Sequence, residues 1–167
     1  MTVSFQDCSP RSANPLDMVE HVVTSRAWPC ERIGEDELSL VVGGSWADLH
    51  LSFTWCGELE SLQLACAFDM KVPPARKKEV HSLLALVNER MWIGHFDLWS
   101  EDHVMLYRHG LPLQGGATAN AEQCEAIIQF AIESCERFYP AFQYVLWGGK
   151  SPEEAMAAAL MDCVGEA

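Results

Sequence analysis

The apolar residues change their spacing several times along the chain, and each spacing predicts a different element. Asn14-Pro15 is typical of a helix N-cap followed by proline at the first helical position. Apolar residues then recur at helical spacing as far as Trp28-Pro29, where the helix is expected to end. From residue 30 to residue 70 the period becomes two, which predicts half-buried strands. The clearest strand runs from Ala47 to Trp55, with Trp46 on the opposite, polar face.

Glycines separate these strands from one another. Gly43-Gly44 and Gly57 are turn signals, so three successive strands form an antiparallel meander that is apolar on one side. A short strand around Glu31 to Ile33 precedes the meander. Val72-Pro73-Pro74 then ends the sheet pattern, because proline cannot donate a hydrogen bond to a neighbouring strand.

The second half of the chain returns to helical patterns on either side of a hairpin. Residues 80–91 have an amphipathic helical pattern, and apolar runs at 93–99 and 104–109 flank a polar loop, which predicts a β-hairpin. A long helical pattern starts at about Asn120, and Pro140 within it predicts a kinked helix or two helices in series. A capping box from Ser151 to Glu154 starts a short Ala-rich helix.

These elements predict one α+β domain over residues 14–167. Its antiparallel sheet is completed by the hairpin, and the flanking helices cover the apolar face of the sheet. A length of 167 residues is typical of a single domain. Residues 1–13 are polar and aperiodic, which predicts a flexible N-terminal tail.

The charge balance narrows the classes of partner. The chain has 11 basic and 24 acidic residues, a formal net charge of −13. Such a surface repels nucleic acid and anionic lipid, so we expect neither as a partner, and a cationic protein surface fits better. The alternative is that the charge only maintains solubility. No run approaches the roughly 20 apolar residues of a membrane span, and the N-terminus has no apolar signal-peptide core.

The seven cysteines do not form a recognisable framework. Their number is odd and no CxxC pair is present, which argues against a disulfide scaffold and against a zinc ribbon. Most lie in apolar periodic runs, where cysteine behaves as a small hydrophobic residue. The pattern suits a reducing compartment, and we expect a cytoplasmic protein.

The predicted hairpin brings together the most suggestive polar residues. If Trp99 pairs with Val104, then His95 faces Arg108, and Asp97 is a diagonal neighbour of Arg108. A His-x-Asp pair beside an arginine could orient a general base or ligate a metal. The alternative is a cross-strand charge cluster on the exposed face of the sheet, which is the commoner use of such residues. A loop one residue shorter would change the register and separate the cluster.

Other chemical signals are absent or weak. The sequence contains no phosphate-binding loop, no nucleophile elbow and no zinc-protease motif, so it predicts no catalytic residue, no cofactor and no metal site. Arg76, Lys77 and Lys78 lie at the predicted start of a helix, where the macrodipole disfavours positive charge. They could contact an acidic partner, or they could simply be a solvated helix end.

Three stretches together resemble the YbjN-domain family of bacterial proteins. They are LACAFDMKVP at residues 64–73, NERMWIGHFDLW at residues 88–99 and FQYVLWGGKSPEEA at residues 142–155. The resemblance implies a fold similar to type III secretion chaperones, and a role as a sensory transduction regulator. It carries no reaction, cofactor or catalytic residue to this chain. Secretion chaperones are small, acidic and cytoplasmic proteins, often dimeric, which bind partner segments through apolar surface.

The sequence therefore favours a non-enzymatic protein-binding module, chaperone-like or regulatory. This hypothesis predicts an exposed apolar or aromatic patch, with Trp46 and Trp99 as its candidates beside His95, Asp97 and Arg108. One alternative is a small-molecule binder or enzyme centred on His95, Asp97 and Arg108, which requires a concave pocket. Another is a homodimer whose interface is with a second copy.

Overall fold

A six-stranded antiparallel sheet with helices packed on one face forms the fold of the protein. The computed structural model describes residues 14–162. The strands are β1 Cys30–Ile33, β2 Glu37–Gly43, β3 Asp48–Cys56, β4 Ser61–Lys71, β5 His95–Trp99 and β6 Val104–Pro112. The helices are α1 Pro15–Ser25, α2 Lys77–Asn88, α3 Ala121–Leu146 and α4 Pro152–Asp162, and a 3-10 turn at Pro74–Arg76 precedes α2. The α+β prediction is confirmed, whereas the predicted tail at residues 1–13 lies outside the described residues.

The hairpin completes the sheet as predicted. The strand order is β1-β2-β3-β4-β6-β5, so β6 pairs with β4 and places β5 at the edge. The first four strands form the predicted meander, including the short strand at Cys30–Ile33. Strand β6 pairs with β4 on one side and with β5 on the other, so it joins the meander to the edge strand.

One row of side chains crosses all six strands on the helix-covered face. Neighbouring residues in this row are paired across each strand boundary, in the order Cys30, Leu40, Leu51, Cys66, Tyr107 and Phe96. Phe96 contacts Phe138 and Phe142 of α3, with ring centroids 6.0 and 5.5 Å away. Burying each such large side chain is worth about 1.5–3 kcal/mol, so this row fixes α3 across the sheet.

The helix ends follow from local chemistry. The Asn14 side chain accepts a hydrogen bond from the Leu16 N–H at 3.0 Å, which confirms the predicted cap of α1. The helix ends at Ser25, before the predicted stop, because Ala27 adopts a positive φ of 56°. The N–H groups of Ala27 and Trp28 then donate back to Thr24 and Val23, and this hydrogen-bonded reversal terminates the helix.

Helix α3 is continuous through Pro140. The alternative of two helices in series is wrong, because one helix spans Ala121–Leu146 with the proline inside it. Pro140 has no N–H to donate to the carbonyl of Glu136, so one internal hydrogen bond is missing. Buried side chains on both sides of the proline, among them Phe138 and Phe142, pack on the sheet and hold the helix together.

The outer edge of β5 is closed by a side chain from α2. The Asn88 amide donates to the Phe96 carbonyl at 3.0 Å, and its oxygen accepts from the Phe96 N–H at 2.8 Å. The Leu98 N–H on the same strand donates to the Asp97 side chain at 2.9 Å. These bonds replace those of a neighbouring strand, so the edge offers little for another chain to pair with.

Candidate functional site

Within residues 14–162, no helix packs on the second face of the sheet, which forms a broad groove. One row crosses all six strands on this face, in the order Glu31, Ser39, Ser52, Ala65, Arg108 and His95. The side chains of the middle strands are small, and together with larger residues at both ends they line a groove of about 1300 Å³. We call this surface the open face. Its small central residues make it concave enough to hold part of another molecule.

Trp99 lies at the β5 end of the open face. It pairs with Val104 and is 48% exposed, and it lines the groove together with Leu106 and Arg108. Leu106 is buried, although none of the four described helices covers this face of the sheet. A half-exposed tryptophan next to buried apolar surface is a common feature of protein interfaces.

The predicted register of the hairpin is confirmed. Trp99 pairs with Val104, Asp97 with Leu106, and His95 with Arg108. Arg108 Nη1 lies 3.1 Å from Asp97 Oδ2, so the expected diagonal pair forms. Both side chains are more than 40% exposed, and an ion pair of this kind contributes about 0–1 kcal/mol to stability. Its arrangement fits a cross-strand charge cluster.

The same contacts weigh against acid–base chemistry at this cluster. Asp97 Oδ1 accepts the Leu98 N–H and Oδ2 accepts from Arg108, so the carboxylate is oriented by groups other than His95. His95 and Arg108 do line the groove, but in its open part, where solvent reaches them. A general base normally requires a partner that fixes its orientation, and Asp97 does not provide this for His95.

His109 follows Arg108 but points to the helix-covered face, opposite Leu64. Burial lowers the pKa of His109 below its usual value, and the nearby His95 lowers it further. Burial also raises the pKa of Tyr107, to about 12. The Tyr107 hydroxyl donates to the Ile93 carbonyl at 3.2 Å, so this phenol is a structural group of the core.

Trp46 does not lie on the open face, and the prediction that places it on the polar face of a strand is wrong. Strand β3 begins at Asp48, so Trp46 belongs to the preceding turn. Its ring stacks on Tyr139 of α3, with a centroid distance of 6.5 Å and an interplanar angle of 11°. Trp46 is nevertheless 51% exposed, so it presents an aromatic surface on the helix side.

Sequence patterns missed several exposed apolar side chains. Trp92, in the loop before β5, is 100% exposed, and Trp147, just after α3, is 63% exposed. Both lie between periodic segments, where no spacing indicates which side of the chain is buried. Ile33 and Val41 are also exposed, and they occupy the strand positions that alternate with the core. The period of two could have identified these two residues.

The basic turn lies where the sequence predicts it, at the start of α2. Lys77 and Lys78 line a shallow depression with His81 and Ser82. Contact of this turn with an acidic partner stays a prediction. In residues 14–162, no three His, Cys, Asp or Glu side chains come together as metal ligands, and no helix has the length and apolar character needed to cross a membrane.

Three solved structures resemble this fold. A chain of the ExsC–ExsE complex has a TM-score of 0.57 and 15% identity, covering 77% of this chain and 92% of its own. YbjN from E. coli has a TM-score of 0.54 and 10% identity, covering 72% and 85%. A chain of the HopA1–SchA chaperone–effector complex has a TM-score of 0.51 and 12% identity, covering 71% and 87%. These similarities confirm the type III secretion chaperone-like fold.

Sequence comparison assigns the family. No curated protein matches the chain by sequence. Residues 15–144 match the YbjN family, which is described as "Putative bacterial sensory transduction regulator". The match covers most of the chain and includes the sheet, the hairpin and nearly all of α3. The protein therefore belongs to the YbjN family.

Proposed function

We propose that this protein is a non-enzymatic protein-binding module, chaperone-like or regulatory, that holds a segment of a partner protein against its open face. The observation that carries the proposal is the groove of the open face, which no other part of residues 14–162 covers, with Trp99 half-exposed at one end. A monomer gains stability by covering apolar surface, so a partly exposed tryptophan beside a groove is characteristic of a contact site. We also infer a cytoplasmic location, because seven cysteines without a CxxC pair suit a reducing compartment.

The charge of the chain indicates the chemistry of the partner. With a net charge of −13, the protein attracts a cationic segment over distances of about one Debye length, roughly 8 Å at physiological salt. Glu31 and Glu37 lie at the β1–β2 end of the groove, opposite Trp99 at the β5 end. A segment with basic residues at one end and an apolar residue at the other would complement both ends.

The structural neighbours support the same kind of partner. One is a chain from a chaperone–effector complex, and another is a chain from the ExsC–ExsE complex. Both structures contain a protein bound to a protein. Identities of 12% and 15% are too low to carry over the partners themselves, so only the class of partner is inferred.

The first test is affinity capture from native lysate, followed by mass spectrometry. The tagged protein is expected to retain at least one partner near equal stoichiometry, and tag-only beads serve as the control. Size-exclusion chromatography with light scattering distinguishes that partner from a second copy of the chain. If the protein is a dimer that captures nothing else, the proposal is wrong and the homodimer alternative takes its place. If it is a monomer that captures nothing above background, the proposal is wrong.

A further inference from the structure

Two cysteine side chains touch at the centre of the core. The sulfurs of Cys66 and Cys135 lie 3.7 Å apart, and the residues are 0% and 1% exposed. Cys66 belongs to β4, in the middle of the sheet, and Cys135 belongs to α3. The pair therefore connects the two layers of the fold.

The surroundings keep the Cys135 thiol in the protonated form. Cys66 pairs with Leu51 on one side and with Tyr107 on the other, so its immediate neighbours in the sheet provide no cation. The contact with Cys66 raises the pKa of Cys135 above its usual value, and burial raises it further. A protonated thiol is a weak nucleophile, so the pair reacts slowly with oxidants while it is buried in the core.

We propose that Cys66 and Cys135 are a latent disulfide site, which peroxides oxidise to join α3 covalently to β4. The sulfurs are 3.7 Å apart and need to approach by roughly 1.7 Å to reach the ~2.05 Å length of a disulfide bond. Rotation about the two Cα–Cβ bonds is the side-chain movement that brings the sulfurs together. This site is independent of the proposed partner contact on the open face.

The chemistry balances with hydrogen peroxide as the oxidant. The thiolate of one cysteine attacks the O–O bond, which breaks to give a sulfenic acid and, after proton transfer, one water molecule. The second sulfur then displaces the sulfenic oxygen as a second water, and the S–S bond forms. Both thiol protons leave in water, two electrons pass from sulfur to peroxide, and transient opening of the helix layer admits the oxidant.

The disulfide would have a measurable consequence for stability. The two residues are 69 positions apart in sequence, so the bond closes a long loop in the unfolded chain. A long closed loop restricts the unfolded state more than a short one, and the folded state gains stability when the bond is unstrained. Oxidation at this site therefore raises the melting temperature, whereas damage to the core by oxidation elsewhere lowers it.

The test oxidises the full chain with hydrogen peroxide, alkylates free thiols after unfolding, and maps cysteine peptides by mass spectrometry. We expect a Cys66–Cys135 linked peptide lacking two hydrogen atoms, together with a raised melting temperature that dithiothreitol reverses. Cys135→Ala and Cys66→Ala each remove one sulfur and are expected to lose both signals. The wild-type protein remains decisive if a variant fails to fold.

The partly exposed Cys30 and Cys56 provide an internal control. If they are oxidised while Cys66 and Cys135 remain available to the alkylating reagent, the proposal is wrong. It is equally wrong if the linked peptide forms but the melting temperature falls. Partner capture by the reduced protein does not depend on either outcome, so failure here leaves the proposed function intact.

Discussion

Gly94 immediately precedes β5, at a position that has no room for a side chain. Its φ is +68°, and an added Cβ would collide with the hydroxyl and ring of Tyr107. Tyr107 is fully buried and its hydroxyl is bonded to Ile93, so the ring cannot move aside easily. We expect Gly94→Ala to lower the free energy of unfolding by about 2–4 kcal/mol, measured by urea denaturation.

Gly115 is a matched control for this substitution. Its φ is +74° and an added Cβ would meet nothing within 4 Å. Gly115→Ala therefore has the same backbone cost without the collision, and is expected to lower the free energy of unfolding by only about 1 kcal/mol. Equal losses in the two variants would show that contact with Tyr107 does not matter.

Ala27 is a non-glycine residue in a left-handed conformation, which glycine adopts more readily. Its φ of 56° ends α1, and its side chain is exposed. Ala27→Gly is expected to raise the free energy of unfolding by up to about 1 kcal/mol, because the left-handed strain exceeds the entropic cost of glycine. Ser25→Gly, at the last residue of the helix, should instead lower it, because it also removes the hydrogen bond from the Ser25 hydroxyl to the Val22 carbonyl. A loss of stability in Ala27→Gly would contradict this explanation of the helix end.

His109 links stability to pH. Burial lowers its pKa in the folded protein, so between that value and the ordinary value of 6.5 the unfolded chain binds more protons. Its contribution to stability is therefore complete above about pH 6.5 and is lost as the pH falls below it. Urea denaturation at pH 7 and at pH 5.5 gives the free energy of unfolding at each pH. Between the two, this free energy is expected to fall less in His109→Gln than in the wild type. Parallel losses would contradict the role of His109.

At the scale of single residues, the sequence could predict caps but not strained positions. Asn14 and Ser151 are recognisable caps because their side-chain oxygens accept backbone N–H groups two or three residues later. Ala27 could not be identified, because alanine carries no signal for a positive φ. The position of Trp46 could not be predicted, since alternation does not show where a strand starts and the stacking on Tyr139 is a long-range contact.

At the scale of elements, Asn88 fixes the edge of the sheet. Its two hydrogen bonds with Phe96 take the place of a neighbouring strand. Asn88→Ala leaves a backbone N–H and a carbonyl without these partners, and we expect the free energy of unfolding to fall by about 1–3 kcal/mol. Hydrogen exchange at the Phe96 amide should become faster in the same variant.

The neighbouring exposed residue serves as the control for Asn88. Glu89→Ala removes a solvent-exposed side chain and is expected to change stability by less than about 0.5 kcal/mol. Light scattering should also detect more self-association in Asn88→Ala than in Glu89→Ala, because an uncovered edge can pair with another chain. Unchanged exchange at Phe96 would contradict the role of Asn88 as an edge cover.

The helices and strands could largely be predicted, because their apolar residues follow the helical or the strand spacing with few exceptions. The polar loop between Trp99 and Val104 predicts the hairpin register that the structure has, although a loop shorter by one residue would change it. The continuity of α3 could not be predicted from the sequence. Pro140 lacks an N–H both in one continuous helix and in two helices in series, so the proline itself does not distinguish the two arrangements. Packing of the buried side chains on both sides of the proline decides between them.

At the scale of the whole molecule, the open face could be predicted only in part. Alternation indicates which strand residues point away from the core, and Trp99, His95 and Arg108 were placed on that face correctly. The sequence could not show that the helices leave this face uncovered, because helix positions depend on long-range packing. For the same reason, the exposure of Trp147 and the contact between Cys66 and Cys135 were not foreseen.

Binding of a partner to the open face through Trp99 can be measured by titration with a purified captured partner. Trp99→Asp is expected to raise the Kd at least about tenfold, because it places a charge in the contact. Trp147→Asp makes the same change on the helix side, at a residue that is 63% exposed, and should leave the Kd within about twofold. Unchanged binding by Trp99→Asp, or loss of binding by Trp147→Asp alone, would contradict binding of the partner to the open face through Trp99.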